Sequence, residues 1–182
     1  KKKKGLIPKW DLSDLYEGPG SLALKSDLKR AQEAALLFRK KYLGSITNLS
    51  GNALGTAISK FEQIDELLSQ ILSYAQLVRA ANVIDPQIAK FNQTIHETVT
   101  EISSNLIFFT LEINKICNSA MEKKLVAPKL AYYKSWIKNL RTFKAHQLDE
   151  GIERILSEKR TTGGAAWIRL FDETIARVRF VV

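Results

Sequence analysis

Apolar residues recur along most of this chain at alternating spacings of three and four, which is the period of an amphipathic α-helix. The first stripe predicts a helix from Ser21 to about Tyr42, with Gly44 as its stop. Its members are Leu24, Leu28, Ala31, Ala35, Phe38 and Tyr42. A second stripe, from Ala57 to Val78, predicts a helix over about 52–83, on the order of 45 Å long at 1.5 Å per residue. These patterns indicate long helices rather than strands.

The longest stripe follows Asp85-Pro86, a pair that disfavours helix at the aspartate and suits the first turn of the next helix. It predicts one helix over 86–118. The apolar face widens near the end of this helix, which indicates burial by more than one neighbour. Shorter helices are predicted near 121–125 and over 128–140.

Two more helices are predicted on either side of Gly163-Gly164. Asp149 is positioned to cap the first, and a hydroxyl of the preceding Thr161-Thr162 pair to cap the second. The apolar face of the first helix contains Ile152, Ile155 and Leu156. One face of the second contains Trp167, Leu170, Phe171 and Thr174. Such a hairpin needs a larger body on which its aromatic residues can pack.

The last residues, 177–182, are rich in β-branched and aromatic side chains and predict a strand. A lone strand leaves its backbone without hydrogen bonds, so it needs a partner strand from additional sequence. The fold class predicted is therefore all-α: an antiparallel multi-helix bundle with long helices, ending in the start of a β-strand. We expect residues 1–9 to be a flexible basic tail and residues 10–182 to be the helical N-terminal domain of a larger protein.

The composition, with 45% hydrophobic and 26% charged residues, is typical of a folded domain. The net charge is +9, of which the run Lys1–Lys4 supplies four. The other basic residues are interspersed with acidic ones, which argues against a nucleic-acid partner. No apolar run is long enough to span a membrane, and no signal peptide follows the lysines. The single cysteine, Cys117, is predicted to be a buried structural thiol and fits a reducing, cytoplasmic location.

The sequence contains no convincing catalytic or metal-binding set. The closest approach to the zinc motif His-Glu-x-x-His is His96-Glu97-Thr98-Val99-Thr100, in which Thr100 stands where the second histidine belongs. His96 is therefore predicted to be a helix-surface histidine. The neighbouring carboxylates Glu150 and Glu153 are expected to be solvated or ion-paired. We predict no catalytic residue and no metal ligand in this chain.

Four regions nevertheless carry a family resemblance. They are Trp10-Asp11-Leu12-Ser13-Asp14-Leu15-Tyr16; Tyr74-Ala75; Phe108-Phe109 with Glu112; and Leu140-Arg141 followed by Glu153, Ile155-Leu156, Ala166-Trp167 and Leu170-Phe171-Asp172. In order and spacing they resemble the N-terminal region of the oligoendopeptidase F group of zinc metallopeptidases, in the M3 peptidase family. The residues that match the family pattern as structural anchors are Trp10, Leu140, Arg141, Leu156, Trp167, Leu170 and Phe171, and we expect most of them to be packing residues.

The resemblance implies that the parent protein is a cytoplasmic zinc endopeptidase that hydrolyses oligopeptides. It implies that the helical N-terminal part forms one wall of a deep channel and restricts access to short peptides. The implied partners are the protein's own C-terminal catalytic domain, which would hold the zinc, and oligopeptide substrates. Because His-Glu-x-x-His is missing here, we expect this chain alone to be inactive and to need no cofactor of its own. The alternative is a self-contained helical protein-interaction module that binds a partner helix or an acidic surface.

Overall fold

The computed structural model describes residues 10–179, whose regular structure is helical, with no strand in that range. The α-helices are α1 (Leu22–Tyr42), α2 (Gly51–Ala81), α3 (Pro86–Ser104), α4 (Ile107–Lys115), α5 (Asn118–Leu125), α6 (Pro128–Ala131), α7 (Lys134–Thr142), α8 (Glu150–Thr162) and α9 (Gly164–Arg177). The all-α prediction is confirmed. The predicted tail, 1–9, lies outside the described residues.

The predicted terminal strand is wrong at residues 177–179, the part of it that the structure describes. Arg177 is the last residue of α9, and Val178 and Arg179 are irregular. The backbone N–H of Val178 donates to the carbonyl oxygen of Ile175 at 3.1 Å, so the chain leaves the helix by a turn. The remainder of the predicted strand, 180–182, lies outside the described residues.

Helix α2 is central to the packing, because it contacts α1, α3 and α6. The stripes predicted from the sequence are the faces that meet: the buried members on α1 and α2 include Leu24, Ala31, Ala35, Phe38, Tyr42, Ala57, Ile64, Leu68, Ile71 and Ala75. Burial of such apolar surface is the main stabilising term in folding. The predicted helices 21–42 and 52–83 are thus confirmed to within two residues at each end.

An aromatic cluster joins the helices at the centre of the core. Phe109 of α4 lies 5.0 Å, ring centroid to ring centroid, from both Phe38 of α1 and Phe61 of α2. Trp136 of α7 extends the cluster at 6.2 Å from Phe61. Edge-to-face and offset pairs of this kind add to the stability that area burial provides. The widened apolar face at the end of the third predicted stripe is therefore explained by its several neighbours.

Side-chain caps begin several helices. Ser21 accepts a hydrogen bond from the Leu24 amide at 3.3 Å and starts α1, and Asp85 accepts one from the Gln87 amide at 2.8 Å and starts α3. Asp149 caps α8 as predicted. These caps satisfy amide groups that the first helical turn leaves without partners.

The predicted single helix 86–118 is wrong, because α3 ends at Ser104 and α4 begins at Ile107. The Asn105 side-chain amide donates to the carbonyl oxygens of Glu101 and Ile102, at 3.2 and 3.4 Å, and so takes acceptors that the ladder of a continuing helix would use. The predicted helix 128–140 is likewise divided, into α6 and α7. The apolar stripe continues through both breaks.

The connection between α1 and α2 is held by a buried carboxylate. Glu112 of α4 accepts hydrogen bonds from the backbone amides of Gly44, at 2.7 Å, and Ile46, at 3.2 Å. Gly44 has a φ of +75°, a left-handed conformation that glycine adopts without steric cost. The turn at Gly44 is therefore held by one side chain from a helix that is distant in sequence.

Candidate functional site

The α8–α9 hairpin is attached to the rest of the molecule through polar side chains. On α8, Glu150 Oε1 accepts a hydrogen bond from Arg39 Nη1 of α1 at 2.8 Å. Glu153 Oε1 accepts one from the Leu148 backbone amide at 3.0 Å, which steadies the start of the helix. Both carboxylates are thus bonded within the chain rather than free for acid–base chemistry.

Helix α9 makes equivalent contacts. Glu173 Oε1 accepts a hydrogen bond from Arg79 Nη2 of α2 at 3.3 Å, and Arg169 Nη1 donates to Gln93 Oε1 of α3 at 2.8 Å. Arg79 is only 9% exposed, and its Nη1 has no hydrogen-bond partner within residues 10–179. A buried guanidinium is costly unless it is paired, so Glu173 stabilises this position.

The apolar face of the hairpin points to solvent. Trp167 is 72% exposed and Phe171 is 64% exposed, and neither α8 nor α9 has a buried residue. The exposed large apolar residues of this segment are Leu148, Ile152, Ile155, Leu156, Trp167, Ile168, Leu170, Phe171, Ile175 and Val178. We call this set the hairpin face. A clustered apolar surface of this kind is typical of an interaction site.

Most of the predicted structural anchors lie on or near the molecular surface. Trp10 is 80% exposed, and Leu156, Leu170, Trp167 and Phe171 belong to the hairpin face. Within residues 10–179, these five side chains are therefore exposed rather than packed in the core. The reason is that α8 and α9 turn their polar sides, with the ion-paired carboxylates, toward the other helices.

The other two anchors, Leu140 and Arg141, do contact the core. Leu140 is partly buried against it. Arg141 Nη1 donates to the Ile113 carbonyl oxygen at 3.2 Å, and Nη2 donates to the Ile116 carbonyl oxygen at 2.9 Å and to Asn118 Oδ1 at 2.6 Å. The Arg141 guanidinium thus adds hydrogen bonds to carbonyl oxygens at the end of α4 and ties α7 to that helix.

The surroundings of His96 do not suit a metal ion. His96 is half-buried on α3, and its pKa is lowered by burial first and then by the charges of Arg79 and Arg160. Thr100, at the position of the missing ligand, donates its hydroxyl to the His96 carbonyl oxygen at 2.7 Å. Within residues 10–179, no three His, Cys, Asp or Glu side chains are grouped so that they could hold a metal. Thr100 thus supplies no imidazole at the position where the zinc motif requires its second histidine.

The predicted burial of Cys117 is wrong, because its side chain is exposed where α5 begins. Its pKa is lowered, first by a hydrogen bond with the Ser119 hydroxyl, 3.5 Å from Sγ, and then by the Ala120 backbone amide. The apolar stripe ends at Ile116, and the backbone turns out of the helix there, which carries the next residue to the surface.

Sequence reasoning missed Arg79, the residue that holds α9 on the core. Its only signal is a single cation at the end of a long apolar stripe, after Tyr74, Ala75 and Val78. Its acceptor, Glu173, is distant in sequence. The hydroxyl cap predicted for α9 is also wrong, since Gly163 is the residue before that helix and no side chain caps it.

Among the described residues, no helix is both long and apolar enough to cross a membrane. Residues 112–180 match the family model described as Oligopeptidase F, the N-terminal model of the M3 peptidases. No curated protein and no solved structure matches the chain. The matched range extends from the buried Glu112 through the hairpin face. The resemblance seen in the sequence is confirmed over that range: residues 112–180 match the model of an oligopeptidase F-type M3 peptidase N-terminal domain.

Proposed function

We propose that this chain is the non-catalytic, helical N-terminal domain of a zinc-dependent oligopeptidase, and that the hairpin face docks on the protein's own C-terminal catalytic domain. The observation that supports this proposal most directly is the position of the hairpin face. It lies within 112–180, the range that matches the peptidase family. Its aromatic residues are exposed while its charged residues are paired with the core.

The energetics favour a partner for this face. An aromatic side chain can bury about 150–250 Å² on association, and apolar burial contributes roughly 25 cal/mol per Å². Trp167 and Phe171 are therefore suited to be central contacts of an interface. With the hairpin attached through Arg39 and Arg79, its apolar side is exposed and can be buried against another surface.

In the complete enzyme, the helices would form one wall of the substrate channel and limit access to short peptides. We propose that the helices around α2 are an antiparallel bundle, which the short connections 43–50 and 82–85 support. Such a wall of packed helices would exclude folded proteins from the channel. Zinc would be held by His-Glu-x-x-His in the catalytic domain, where a bound zinc ion activates water for peptide hydrolysis. The single cysteine supports a cytoplasmic location.

The first test asks whether the chemistry lies elsewhere. We expect the reading frame that encodes this chain to include a His-Glu-x-x-His segment downstream. The purified chain should show no chelator-sensitive hydrolysis of a quenched-fluorescence oligopeptide, and the complete protein should show it. Zinc-dependent cleavage by the chain alone would refute a non-catalytic role.

The second test concerns the hairpin face itself. The Trp167→Ser/Phe171→Ser variant should bind a separately expressed catalytic domain at least about tenfold more weakly than the unmodified chain, because central aromatic contacts dominate interface energies. Tyr132→Ser is the matched control, since Tyr132 is an exposed aromatic residue outside the hairpin. Equal binding by both variants, measured by isothermal titration calorimetry, would mean that the hairpin face is not the docking surface.

A self-contained helical interaction module is the second candidate, and the same exposed face favours it. The reading frame distinguishes the two functions. A gene without a downstream zinc motif, together with a hairpin face that binds a separate protein, would replace the peptidase assignment. We favour the peptidase because of the family match over 112–180.

A further inference from the structure

A groove of about 590 Å³ lies between α1 and α2, on residues that precede the family-matched range. Its apolar lining consists of Ala34, Leu37, Phe38, Ile64 and Leu67. Leu37 is largely exposed at the groove. The groove therefore presents an apolar strip between two helices.

The groove is elongated. Its lining on α1 extends from Arg30 to Tyr42, about 18 Å at 1.5 Å per residue, and its lining on α2 extends from Lys60 to Gln70, about 15 Å. This length corresponds to three turns of a helix. A strip of these dimensions can accommodate one side of a bound helix. Such a helix would place an apolar side chain in the groove every three or four residues.

The charges around the strip are mainly positive. Arg30, Lys41 and Lys60 line the groove with Glu66 as the one acidic lining residue. Arg30 is paired with Asp27, at 3.0 Å between Nη2 and Oδ1. Neither lysine forms a salt bridge with any residue in 10–179. The groove thus offers two cations that lack an acidic partner in the described chain.

We propose that this groove binds an amphipathic helix whose apolar stripe is flanked by acidic residues. The apolar anchors of that helix would lie on Ala34, Leu37 and Leu67, and its carboxylates would pair with Lys41 and Lys60. A second copy of this chain is a poorer occupant, because its net charge of +9 would be repelled. This interaction is separate from the hairpin face and does not depend on peptidase function.

The probe for the test is a synthetic helical peptide of about 14 residues with leucines at i, i+3 and i+7 and glutamates beside them. Its matched probe has lysines in place of the glutamates. Fluorescence anisotropy with the unmodified chain should give affinity at least about tenfold higher for the acidic peptide, and the difference should shrink at high salt as charges are screened. Equal affinity for both peptides, or no binding of the acidic one, would overturn the proposal.

Two variants locate the site. Lys41→Glu/Lys60→Glu should weaken binding of the acidic peptide by at least about tenfold, whereas Lys25→Glu/Lys29→Glu should change it by less than about twofold. Both variants change the net charge equally, but Lys25 and Lys29 do not line the groove. Equal weakening by the two variants would show non-specific attraction and overturn the proposal.

Circular dichroism checks that both variants fold; if the groove variant does not, the comparison of the two peptides on the unmodified chain still decides. A long-chain fatty acid is the control for another ligand class. If it displaces the acidic peptide and binds with higher affinity, the groove is a lipid site and the proposed helix is wrong.

Discussion

Helices α1 and α9 are both amphipathic, but α1 packs on the other helices with its apolar face and α9 with its polar face. In α1, the apolar stripe that contains Ala31, Ala35 and Phe38 is buried against α2. In α9, Arg169 and Glu173 meet the core through hydrogen bonds while the apolar residues face solvent. Periodicity thus identifies an apolar face in both helices, but it does not tell which neighbour covers that face.

The difference also separates two roles. The apolar faces of helices α1 to α7 pack on one another and form the core, whereas the apolar surface of the hairpin remains exposed. A helix whose charged side is fixed and whose apolar side is open resembles half of an interface. This contrast is the physical basis of the proposed docking on a catalytic domain.

The largest expected effect tests the core side of the contrast. Phe109→Ala should lower the free energy of unfolding by about 3–5 kcal/mol, because the ring is fully buried among Phe38, Phe61 and Phe108 and its loss leaves a cavity. Urea denaturation followed by circular dichroism measures the change. A loss below about 1 kcal/mol would mean that the core is not closely packed there.

A smaller effect tests how closely the core helices approach. A Cβ at Gly55 of α2 would lie 2.7 Å from backbone atoms of Lys129, so Gly55→Ala should destabilise by about 1–3 kcal/mol. Without this contact, alanine would stabilise a helix interior by about 0.5–1 kcal/mol, so the sign of the change is informative. Gly20→Ala is the control, since no atom lies within 4 Å of its added Cβ.

The hairpin side of the contrast predicts almost no effect on stability. Trp167→Ala should change the free energy of unfolding by less than about 0.5 kcal/mol, because the indole is exposed. A tryptophan packed in a core would instead cost about 3–5 kcal/mol when truncated. Thermal melts of the two chains distinguish these outcomes, and a large loss would mean that the hairpin face is covered within the molecule.

The smallest effect concerns His96, which lies where the charges of α2 and α8 meet. Its pKa in the folded chain is lowered from the usual value of about 6.5, by burial and by Arg79 and Arg160, so between the two values the unfolded chain binds more protons. Stability should therefore fall as pH decreases below about 6.5, through the folded pKa. Denaturation at several pH values measures this slope. His96→Gln should reduce this slope; a slope that is unchanged in the variant would contradict the assignment.

Much of the fold could be predicted from local patterns. The stripes on α1 and α2 located the buried faces, and Asp149 located the start of α8, since helix periodicity and capping are properties of neighbouring residues. The break at Asn105 could not be found in this way. Apolar residues continue to recur every three or four positions through the break. The side-chain hydrogen bonds that end α3 do not change this pattern.

The candidate site was predicted in part. Its residues were identified by resemblance, and Trp167, Leu170 and Phe171 were assigned to one helix face, but they were expected to be buried. Cys117 was misassigned for a related reason, because an apolar neighbour in sequence does not guarantee burial when the chain turns.

The sequence by itself determined that this chain is helical, which residues share each helix face, and that its later part resembles an oligopeptidase N-terminal domain. Only the tertiary structure decided which of those faces are covered. The physical reason is that amphipathicity arises within one helix, whereas burial depends on contacts between residues that are far apart in sequence. The pairs Arg39 with Glu150 and Arg79 with Glu173 are such contacts: they join the polar side of the hairpin to α1 and α2, and its apolar side remains exposed.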